Sequence, residues 1–434
     1  MIKKVHFLGI GGSGASAAAA IAQHTGFEVT GCDLDISNEF TTPFSLDQLL
    51  KGHSASHLKG GNVNILAVTP AIYSLDPTNE ELMEAKRLGI EVLTWQEFMG
   101  KYLMEGKFVI AVSGTHGKTT TTAMIAKMLE DAGLDPTVEL GSIMPSWKAN
   151  YRNGNSKYFV VEADEYNDNY LPITPDISVV TNIDMDHPEY FKDFEEYKES
   201  FKKFILKTKG AVVANLSDAS TAEVMKTVLK SIPENDTRQF LDYSKQQFNL
   251  SLKIPGTFNI LNATAAFQVG LLLGINPETI KSSLQSFTGA GRRFEYIGDY
   301  NRAKIYSDFG HHPTEIRETL KAVREKFPNE RVLVIYQPHM FTRTKYLFED
   351  FVKVFTVAPV DKIYIMDIYQ SREKDLGEVS SKQLAETINL PSVLHIPSGT
   401  ELQVLKPEIK NGDIVFFMSA GDTDKIAKQL VELR

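Results

Sequence analysis

Features that would place a protein outside the cell or in a membrane are scarce in this chain. Its 434 residues include a single cysteine, Cys32, which excludes an internal disulfide and fits a reducing compartment. No apolar run approaches the roughly 18 residues of a membrane-spanning helix. The apolar run Val5–Ile10 is also too short for the core of a secretory signal peptide. We therefore expect a cytoplasmic protein with no membrane partner.

An excess of positive charge is also lacking. Lys and Arg number 46 against 55 Asp and Glu, which gives a formal net charge of −9. Nonspecific binding to nucleic acid needs clustered positive charge, so we expect no nucleic-acid partner. The hydrophobic fraction of 42% and the charged fraction of 23% are those of an ordinary globular protein. The length predicts two to four domains.

The most informative motif is a polar, glycine-containing turn between an apolar run and a helical pattern. Residues 113–122 read Ser-Gly-Thr-His-Gly-Lys-Thr-Thr-Thr-Thr. In a strand–turn–helix context, the backbone N–H groups of such a turn surround nucleotide phosphates. Lys118 can reach the terminal phosphates, and the hydroxyl of Thr119 or Thr120 can bind Mg²⁺. Val112 stands where the strict pattern has glycine, so the motif is a shortened variant. It predicts the use of ATP or GTP.

Strand and helix patterns alternate along the whole chain in three blocks, at residues 1–103, 104–288 and 289–434. This alternation predicts an α/β fold with three domains built on parallel sheets. The irregular segment Asp236–Lys253 is predicted to form short strands or a hairpin. The first block shows four strand patterns, one of them over Ile65–Val68. The third block also shows four, one of them over Ile414–Met418, and its helical patterns include Lys345–Phe355 and Ser381–Ile388.

A second glycine-rich turn lies near the N-terminus, where residues 9–14 read Gly-Ile-Gly-Gly-Ser-Gly between a strand and a helix. Asp33 ends the next predicted strand, at the place where a dinucleotide site holds a ribose. The pattern fits an NAD-dependent oxidoreductase, but the same turn binds any diphosphate, including that of a UDP-sugar. An oxidoreductase has no need of the second, phosphate-binding turn.

Carboxylates and a histidine follow two strands of the second block. Glu162 ends one strand, and Asp186 and His187 follow the next. We expect Glu162 and His187 to project from neighbouring strand ends into one crevice, where a catalytic Mg²⁺ finds ligands. Asp164 and Glu165 are interpreted as a solvated pair or as support for the ligands.

Two turns of the third block carry further polar residues. Residues 307–315 follow a strand and open a helix, for which Pro313 and Thr314 supply good starting residues. Residues 337–344 follow another strand and include Arg343, which can bind a carboxylate bidentately. Both turns contain histidines: His311, His312 and His339. A two-histidine metal site stays open, although no cysteine or regular spacing supports zinc.

These segments together resemble the Mur ligases in composition and order, over nearly the whole chain. Besides the glycine turn at 9–14, they are GTHGKTTTT at 114–122, EADE at 162–165, TNIDMDH at 181–187, GTFNILNATAA at 256–266, GAGRRFE at 289–295, DFGHHPTE at 308–315 and QPHMFTRT at 337–344. The resemblance implies an N-terminal Rossmann-like domain (1–103), a central P-loop ATPase-like domain (104–288) and a C-terminal Rossmann-like domain (289–434). These would bind a UDP-substrate, ATP and an amino acid, respectively.

The resemblance also implies residue roles. The UDP-substrate would be bound by Gly9, Gly11, Gly12, Ser13, Gly14 and Asp33. ATP would be bound by Gly114, Thr115, His116, Gly117, Lys118, Thr119, Thr120, Asn259, Asn262, Arg292 and Asp308. The metal ligands would be Thr119, Glu162 and His187. The amino-acid pocket would contain His311, His339 and Arg343. The catalytic residues would be Lys118, His187, His311 and Arg292.

The implied activity is ATP-dependent ligation of L-alanine to UDP-N-acetylmuramate through an acyl phosphate, with Mg²⁺, in peptidoglycan precursor synthesis. His311 is the candidate base for the amine, because histidine titrates in a suitable range. Hinges near residues 104 and 290 would allow closure, and a monomer or weak homodimer is expected. A ligase that attaches a whole tripeptide and a nonenzymatic nucleotide switch are the alternatives.

Three positions depart from the family pattern. Phe258 stands where histidine is frequent, and Met340 stands where arginine is frequent. Phe201 stands where related ligases carry a carbamylated lysine, which fits the alanine-adding branch.

Overall fold

A computed structural model describes residues 3–60, 62–371 and 373–433. The described residues form three sheets with associated helices, grouped in two compact units. One unit contains the chain up to Met185 together with Asp193–Ser251 and Leu261–Phe287. The other contains Asp186–Lys192, Leu252–Ile260 and the chain from Thr288 on. No helix in these described ranges is long and apolar enough to cross a membrane.

The first sheet is fully parallel, in the order β3-β2-β1-β4-β5. Its strands are β1 (Lys4–Leu8), β2 (Glu28–Asp33), β3 (Leu49–Lys51), β4 (Ile65–Val68) and β5 (Glu91–Thr94). Its helices are α1 (Ser13–His24), α2 (Ile72–Leu75), α3 (Glu80–Leu88) and α4 (Trp95–Phe98), with a 3₁₀ turn at Ala55–Leu58 and a π turn at Met99–Leu103. The strand order reverses beside β1, as the predicted Rossmann-like domain requires.

The second sheet has the order β12-β11-β10-β6-β9-β7-β8 and is parallel except for β8. Its strands are β6 (Phe108–Ser113), β7 (Thr137–Met144), β8 (Ala149–Arg152), β9 (Tyr158–Glu162), β10 (Ile177–Val180), β11 (Ala211–Ala214) and β12 (Gln239–Asp242). Its helices are α5 (Lys118–Asp131), α6 (Phe194–Leu206), α7 (Ala219–Ser231), α8 (Thr257–Leu272) and α9 (Pro277–Ser286), with a 3₁₀ turn at Tyr166–Asp168.

Of the two structures expected for Asp236–Lys253, short strands or a hairpin, the hairpin is wrong and a short strand is present. That segment forms the single strand β12, which pairs in parallel with β11. The reason is the helix α7 between the two strands, since a helical crossover returns the chain in the same direction. The antiparallel pair of this sheet is instead β7 with β8, whose connecting turn contains Lys148 in the left-handed region, with φ of 54°.

The third sheet has the order β13-β14-β18-β15-β16-β17, and only β13 runs antiparallel to its neighbour. Its strands are β13 (Glu295–Tyr300), β14 (Ala303–Asp308), β15 (Val332–Tyr336), β16 (Lys362–Met366), β17 (Val393–Ile396) and β18 (Ile414–Met418). Its helices are α10 (Pro313–Lys326), α11 (Phe341–Tyr346), α12 (Phe348–Thr356), α13 (Ser381–Ile388), α14 (Glu401–Glu408) and α15 (Thr423–Glu432).

The third sheet confirms the four predicted strands and adds β13 and β17. The prediction of a single helix over Lys345–Phe355 is wrong, because the helical conformation is interrupted at Leu347, which separates α11 from α12. Apolar residues from alternate strand positions, such as Val334 and Leu333, fill separate cores on the two faces of this sheet.

The predicted functional turns all follow the carboxyl ends of parallel strands. The N-terminal glycine turn follows β1, and the phosphate turn follows β6. In the second unit, the turns at 309–312 and 337–340 follow β14 and β15. Ligands of open α/β sheets bind at this edge, so each turn stands where a site is expected.

Candidate active site

The turn between β6 and α5 has the geometry that its glycines predict. Gly114 and Gly117 have φ of 131° and 83°, a range that side chains rarely adopt. A Cβ on Gly117 would also lie 2.6 Å from Oδ1 of Asn262, and a Cβ on Gly114 would overlap the hydroxyl of Thr181. Helix α5 begins directly after Gly117, so its free N–H groups face the turn.

Lys118 lies at the centre of this turn and keeps its charge. Its ammonium donates to the carbonyl of Gly114 at 2.7 Å and forms an ion pair with Glu165 Oε2 at 2.8 Å. Burial alone would lower the pKa of Lys118, but the carboxylates of Glu165 and Asp164 raise it above its usual range. The lysine is therefore a fixed cation at the place predicted for the terminal phosphates.

The interpretation of Glu165 as part of a solvated pair is wrong. Its side chain is fully buried, because Lys118 compensates its charge and the hydroxyl of Tyr197 donates to it at 3.0 Å. The same hydroxyl contacts the side chain of Thr115 at 3.0 Å. Glu165 thus supports the phosphate turn from within the protein.

A threonine and a glutamate provide oxygen atoms beside the turn. The hydroxyl of Thr119 donates to Oε1 of Glu162 at 2.8 Å, and the amide of Gly141 donates to Oε2 at 2.9 Å. Burial and the charges of Glu162 and Asp164 raise the pKa of the adjacent Glu139 well above its usual range. The structure therefore brings together two of the three predicted metal ligands, Thr119 and Glu162.

His116 is held by the segment that follows β10. Its amide donates to Asn182 Oδ1 at 2.9 Å, and its carbonyl accepts from the side chains of Thr181 and Asn182. Its ring lies 3.3 Å from Asp184. These contacts fix the middle of the phosphate turn.

The N-terminal glycine turn is ordered around Asp33. The amide of Gly11 donates to Oδ2 of Asp33 at 2.9 Å, and the other carboxylate oxygen accepts from the amide of Asp35 at 3.2 Å. A side chain on Gly14 would overlap the ring of Trp95, so that position requires glycine. Asp33 was predicted to bind a ribose beside this turn. In the structure its carboxylate stabilises the turn itself.

The second unit contains a buried ion pair between Arg343 and Asp186. Nε and Nη2 of Arg343 each lie 3.0 Å from Oδ1 of Asp186, and both side chains are nearly inaccessible. Burial alone would raise the pKa of Asp186, but the charges of Arg343 and His187 hold it well below its usual range. A third N–H donor, on Nη1 of Arg343, lies 3.2 Å from Nδ1 of His339. With the two donors to Asp186, three of the five N–H donors of Arg343 are therefore in contact with these two residues.

The expectation that His311 titrates near neutrality is wrong. Burial and the positive charge of Arg343 lower the pKa of His311 to about 3, although Glu315 and Asp186 act in the opposite direction. Its Nδ1 lies 3.3 Å from Glu315, and its ring is 6.1 Å from that of His339. The structure thus brings together the three residues predicted for the amino-acid pocket, with His311 in its neutral form.

His187 lies in the second unit, whereas Glu162 lies in the first. Its amide donates to Asp186 at 2.8 Å and its Nδ1 lies 3.3 Å from Glu189. Its φ of 58° is unusual for a residue with a side chain, and such strain is frequent at functional sites. A Mg²⁺ site shared by Glu162 and His187 stays a prediction.

Arg292 and Asp308 are bound within the second unit. Arg292 donates to the carbonyls of Ser419 and Gly421. Asp308 accepts from the amides of Phe294 and Gly310, and burial raises its pKa. Both residues therefore hold loops at the edge of the third sheet.

Three other predicted positions have local roles. Asn259 donates from its side chain to the carbonyl of Pro255 at 2.6 Å. His312, rather than Thr314, caps α10, because its Nδ1 accepts from the amide of Thr314 at 3.2 Å. Phe201 is a core residue, buried beside Tyr170 and Tyr197.

The sequence places Glu165 and Asp186 beside the predicted sites but does not predict their ion pairs, and no motif distinguishes Tyr197, which contacts Glu165 in the phosphate-turn cluster. The available signal is positional, since Glu165 and Asp186 each follow a buried strand that ends beside a predicted site. Tyr197 lies on α6 and gives no such signal, because its contact with Thr115 joins residues 82 positions apart.

Comparison with known proteins identifies the class of this chain. Residues 4–106 match the Mur ligase family, catalytic domain, residues 112–270 the Mur ligase middle domain, and residues 292–421 the Mur ligase, glutamate ligase domain. A curated relative from Acetivibrio thermocellus is 38% identical over 459 aligned positions, which cover 99% of this chain and 96% of the relative. The chain belongs to the Mur ligase family.

Within the family, that relative is a UDP-N-acetylmuramate–L-alanine ligase. The solved UDP-N-acetylmuramate–alanine ligase of Thermotoga maritima has a TM-score of 0.80 and 26% identity, and the match covers 99% of this chain and 98% of that one. The murein peptide ligase of Psychrobacter arcticus has a TM-score of 0.72 at 20% identity, with 99% and 98% coverage, and shows the shared fold. These matches do not favour the oxidoreductase or tripeptide-ligase alternatives.

Proposed function

We propose that this chain is an ATP-dependent ligase that joins L-alanine to UDP-N-acetylmuramate in peptidoglycan precursor synthesis. The observation that carries the proposal is the phosphate turn with the charged Lys118 at its centre. Support comes from a curated relative of that name, which matches 99% of the chain. The reaction requires ATP because a carboxylate does not condense with an amine in water.

The reaction proceeds in two steps. The muramyl carboxylate attacks the γ-phosphorus of ATP, ADP leaves, and an acyl phosphate forms. The neutral amine of alanine then attacks the acyl carbon, phosphate leaves, and the amine proton passes to a base. Lys118 stabilises negative charge on the transferring phosphoryl group, which is a positioning and electrostatic task.

The residues at the phosphate turn fit a Mg²⁺ ion. The paired hydroxyl and carboxylate of Thr119 and Glu162 are hard oxygen donors, which this cation prefers. We assign both to Mg²⁺, whereas His187 as a third ligand stays a prediction from the sequence. When bound, Mg²⁺ would neutralise charge on the phosphate oxygens.

The second unit supplies the amino-acid pocket in this proposal. Arg343 has two N–H donors outside its contacts with Asp186 and His339, which suffice for the carboxylate of alanine. His311 would accept a hydrogen bond from the amine as a neutral imidazole, since its pKa of about 3 makes it a weak base. Arg292 and Asp308 would hold the loops that meet the nucleotide.

The N-terminal turn would bind the UDP moiety, through residues 9–14 and Asp33. ATP as co-substrate places the reaction in the cytoplasm. Neither step requires a membrane or nucleic acid.

ADP release with defined substrate combinations tests the function. We expect turnover only when ATP, UDP-N-acetylmuramate and L-alanine are all present. Without alanine, added hydroxylamine should trap the acyl phosphate as a hydroxamate. Turnover with the murein tripeptide but not with alanine would establish the alternative ligase, and ADP release that ignores UDP-N-acetylmuramate would contradict both.

A further inference from the structure

A cluster of metal-binding side chains lies in the first unit, apart from the phosphate turn. His6 on β1 and Cys32 on β2 share one face of the first sheet, because His6 pairs with Thr30 and Leu8 pairs with Cys32 in parallel register. His57 comes from the 3₁₀ turn at Ala55–Leu58, and Glu81 from the first turn of α3. One ligand atom from each of the four residues lies within 4.8 Å of the others.

The short distances converge on the carboxylate of Glu81. Its Oε1 lies 3.0 Å from Nε2 of His6 and 2.9 Å from Nδ1 of His57, and its Oε2 accepts from the thiol of Cys32 at 2.9 Å. His6, Cys32 and Glu81 are fully buried, and the side chain of His57 is 13% exposed. The cluster is therefore closed to solvent except beside His57 and its neighbour His53.

His6 is oriented as a metal ligand would be. Its Nδ1 contacts the hydroxyl of Thr30 at 2.8 Å, which leaves Nε2 directed into the cluster. Within the described ranges, that buried Nε2 forms no hydrogen bond, despite its proximity to Glu81. Metal-binding histidines are commonly fixed through their other ring nitrogen in this way.

We propose that His6, Cys32, His57 and Glu81 form a tetrahedral site for a structural Zn²⁺ ion. Two imidazoles, a thiolate and a carboxylate are a ligand set that zinc accepts, and the two anionic ligands balance its charge. With zinc bonds of about 2.0–2.3 Å, tetrahedral ligand atoms lie about 3.3–3.8 Å apart. The three contacts of Glu81, at 2.9–3.0 Å, are shorter than that range, and the remaining pairs of ligand atoms lie within 4.8 Å, so the side chains would shift to bind the ion. Sequence spacing gives no signal for this site, because its four ligands come from four separate elements.

The site adjoins the N-terminal glycine turn. The backbone carbonyl of Cys32 accepts from the amides of Gly9 and Ile10 at 2.9 and 3.1 Å. A metal bound to Cys32 therefore anchors the strand end that holds this turn, independently of the ligase chemistry at Lys118.

Cobalt substitution tests the proposal with the full-length protein, because the chain has one cysteine. After chelator treatment and addition of one equivalent of Co²⁺, we expect a thiolate-to-cobalt charge-transfer band and the intense visible bands of tetrahedral Co²⁺. Any such thiolate band must come from Cys32. Zn²⁺ should abolish both signals stoichiometrically and raise the thermal transition of the protein.

Variants assign the ligands. Cys32→Ser should lose the charge-transfer band, and His57→Gln and Glu81→Gln should each weaken Co²⁺ binding at least tenfold. His24→Gln, an exposed histidine of the same unit, is the matched control and should leave the spectrum unchanged. If Cys32→Ser does not fold, the cobalt spectra of the unmodified protein and of His57→Gln still test whether the metal binds at this cluster.

The absence of a thiolate band from the cobalt-loaded protein would overturn the proposal. So would a thermal transition that Zn²⁺ does not raise. A tenfold loss of binding in His53→Gln with none in His57→Gln would overturn the ligand set, because the Nδ1 of His53 lies 3.2 Å from Cys32 Sγ and offers the alternative.

Discussion

One buried ion pair, Lys118 with Glu165, lies in the phosphate turn, and another, Arg343 with Asp186, lies in the predicted amino-acid pocket. Removing two charges from water costs several kcal/mol per ion, so such pairs contribute little net stability over apolar residues. Removing one partner of such a pair, in contrast, strongly destabilises the fold, because the other charge stays buried and unpaired. Stability therefore does not explain why these buried charges are present. We infer that each pair holds a cation in place, Lys118 for a phosphate and Arg343 for a carboxylate.

The two roles of Lys118 separate in a pair of variants. Lys118→Ala should lower turnover by about 10²–10³-fold or more through lost charge on the phosphoryl group. It should also lower the free energy of unfolding, because Glu165 stays buried and unpaired. Lys118→Met combined with Glu165→Gln should recover stability but not turnover. Urea unfolding and ADP release measure the two effects, and Lys127→Ala on the same helix is the control. Recovered turnover in the double variant would remove Lys118 from the chemistry.

Arg343→Lys should raise the KM for L-alanine at least tenfold. The ammonium group of lysine cannot donate to two carboxylates at once in the planar geometry of a guanidinium. An alanine carboxylate left unpaired in a closed site costs about 2–5 kcal/mol. KM values for ATP and UDP-N-acetylmuramate should change much less. Steady-state kinetics with each substrate varied decide the matter, with the exposed Arg317→Lys as control. An effect confined to the KM for ATP would contradict the assignment of Arg343 to the amino-acid pocket.

The depressed pKa of His311 predicts a pH dependence of stability. The unfolded imidazole binds a proton below about pH 6.5, whereas the folded one does so only near pH 3. Between these values the unfolded state binds more protons, so stability falls as pH decreases. The slope attributable to His311 is on the order of 1 kcal/mol per pH unit. His311→Gln should remove it, as measured by urea unfolding from pH 7 to pH 4. An unchanged slope would show that burial and the positive charge of Arg343 do not exclude the proton from His311.

At the scale of elements, strands with strong apolar patterns are predictable and irregular connections are not. β4, β18 and α13 have the bounds that the sequence predicts, because apolar residues end abruptly at polar turns there. The pair β7–β8 is missed, since its pairing depends on contacts that local pattern does not encode. The same limit applies to the sites. The sequence identifies the turns that carry Lys118 and Arg343, but their buried partners come from distant segments.

The phosphate turn offers a matched test of glycine geometry. Gly117 and Gly133, at the two ends of α5, have φ of 83° and 73°, so alanine at either should cost about 1–2 kcal/mol of stability. Only at Gly117 would the new Cβ approach another side chain, that of Asn262. Gly117→Ala should therefore raise the KM for ATP at least tenfold, and Gly133→Ala should leave kinetics unchanged. Equal kinetic effects in both variants would refute a special role for the turn.

At the scale of the whole molecule, the second unit is assembled from three stretches of chain. Besides the residues from Thr288 on, it includes Asp186–Lys192 and Leu252–Ile260. The C-terminal domain predicted at 289–434 therefore lacks Asp186, the partner of Arg343. The bounds of that domain stay a prediction of the sequence.

A fragment of residues 288–434 should reveal this dependence. In the fragment Arg343 has lost Asp186, so Arg343→Met should raise the free energy of unfolding there. In the full chain the same change should lower it, because it leaves Asp186 buried and unpaired. Urea unfolding of the four proteins gives the sign in each context. Arg317→Met, whose partner Glu318 is present in both, should show no reversal. The same sign for Arg343→Met in both contexts would contradict the argument.

The pairing of Lys118 with Glu165 also bears on nucleotide affinity. The binding site already contains its own anion, so an arriving phosphate exchanges with Glu165 or shares the ammonium with it, and does not meet an unsatisfied charge. Part of the attraction to the phosphate offsets the lost contact with Glu165, which lowers affinity for any single phosphate. We therefore expect inorganic phosphate to compete poorly, whereas a triphosphate, with more oxygens and the turn amides as partners, should displace the carboxylate. If the turn binds phosphates as proposed, Glu165 would act as an internal competitor that sets the minimum charge a ligand must bring.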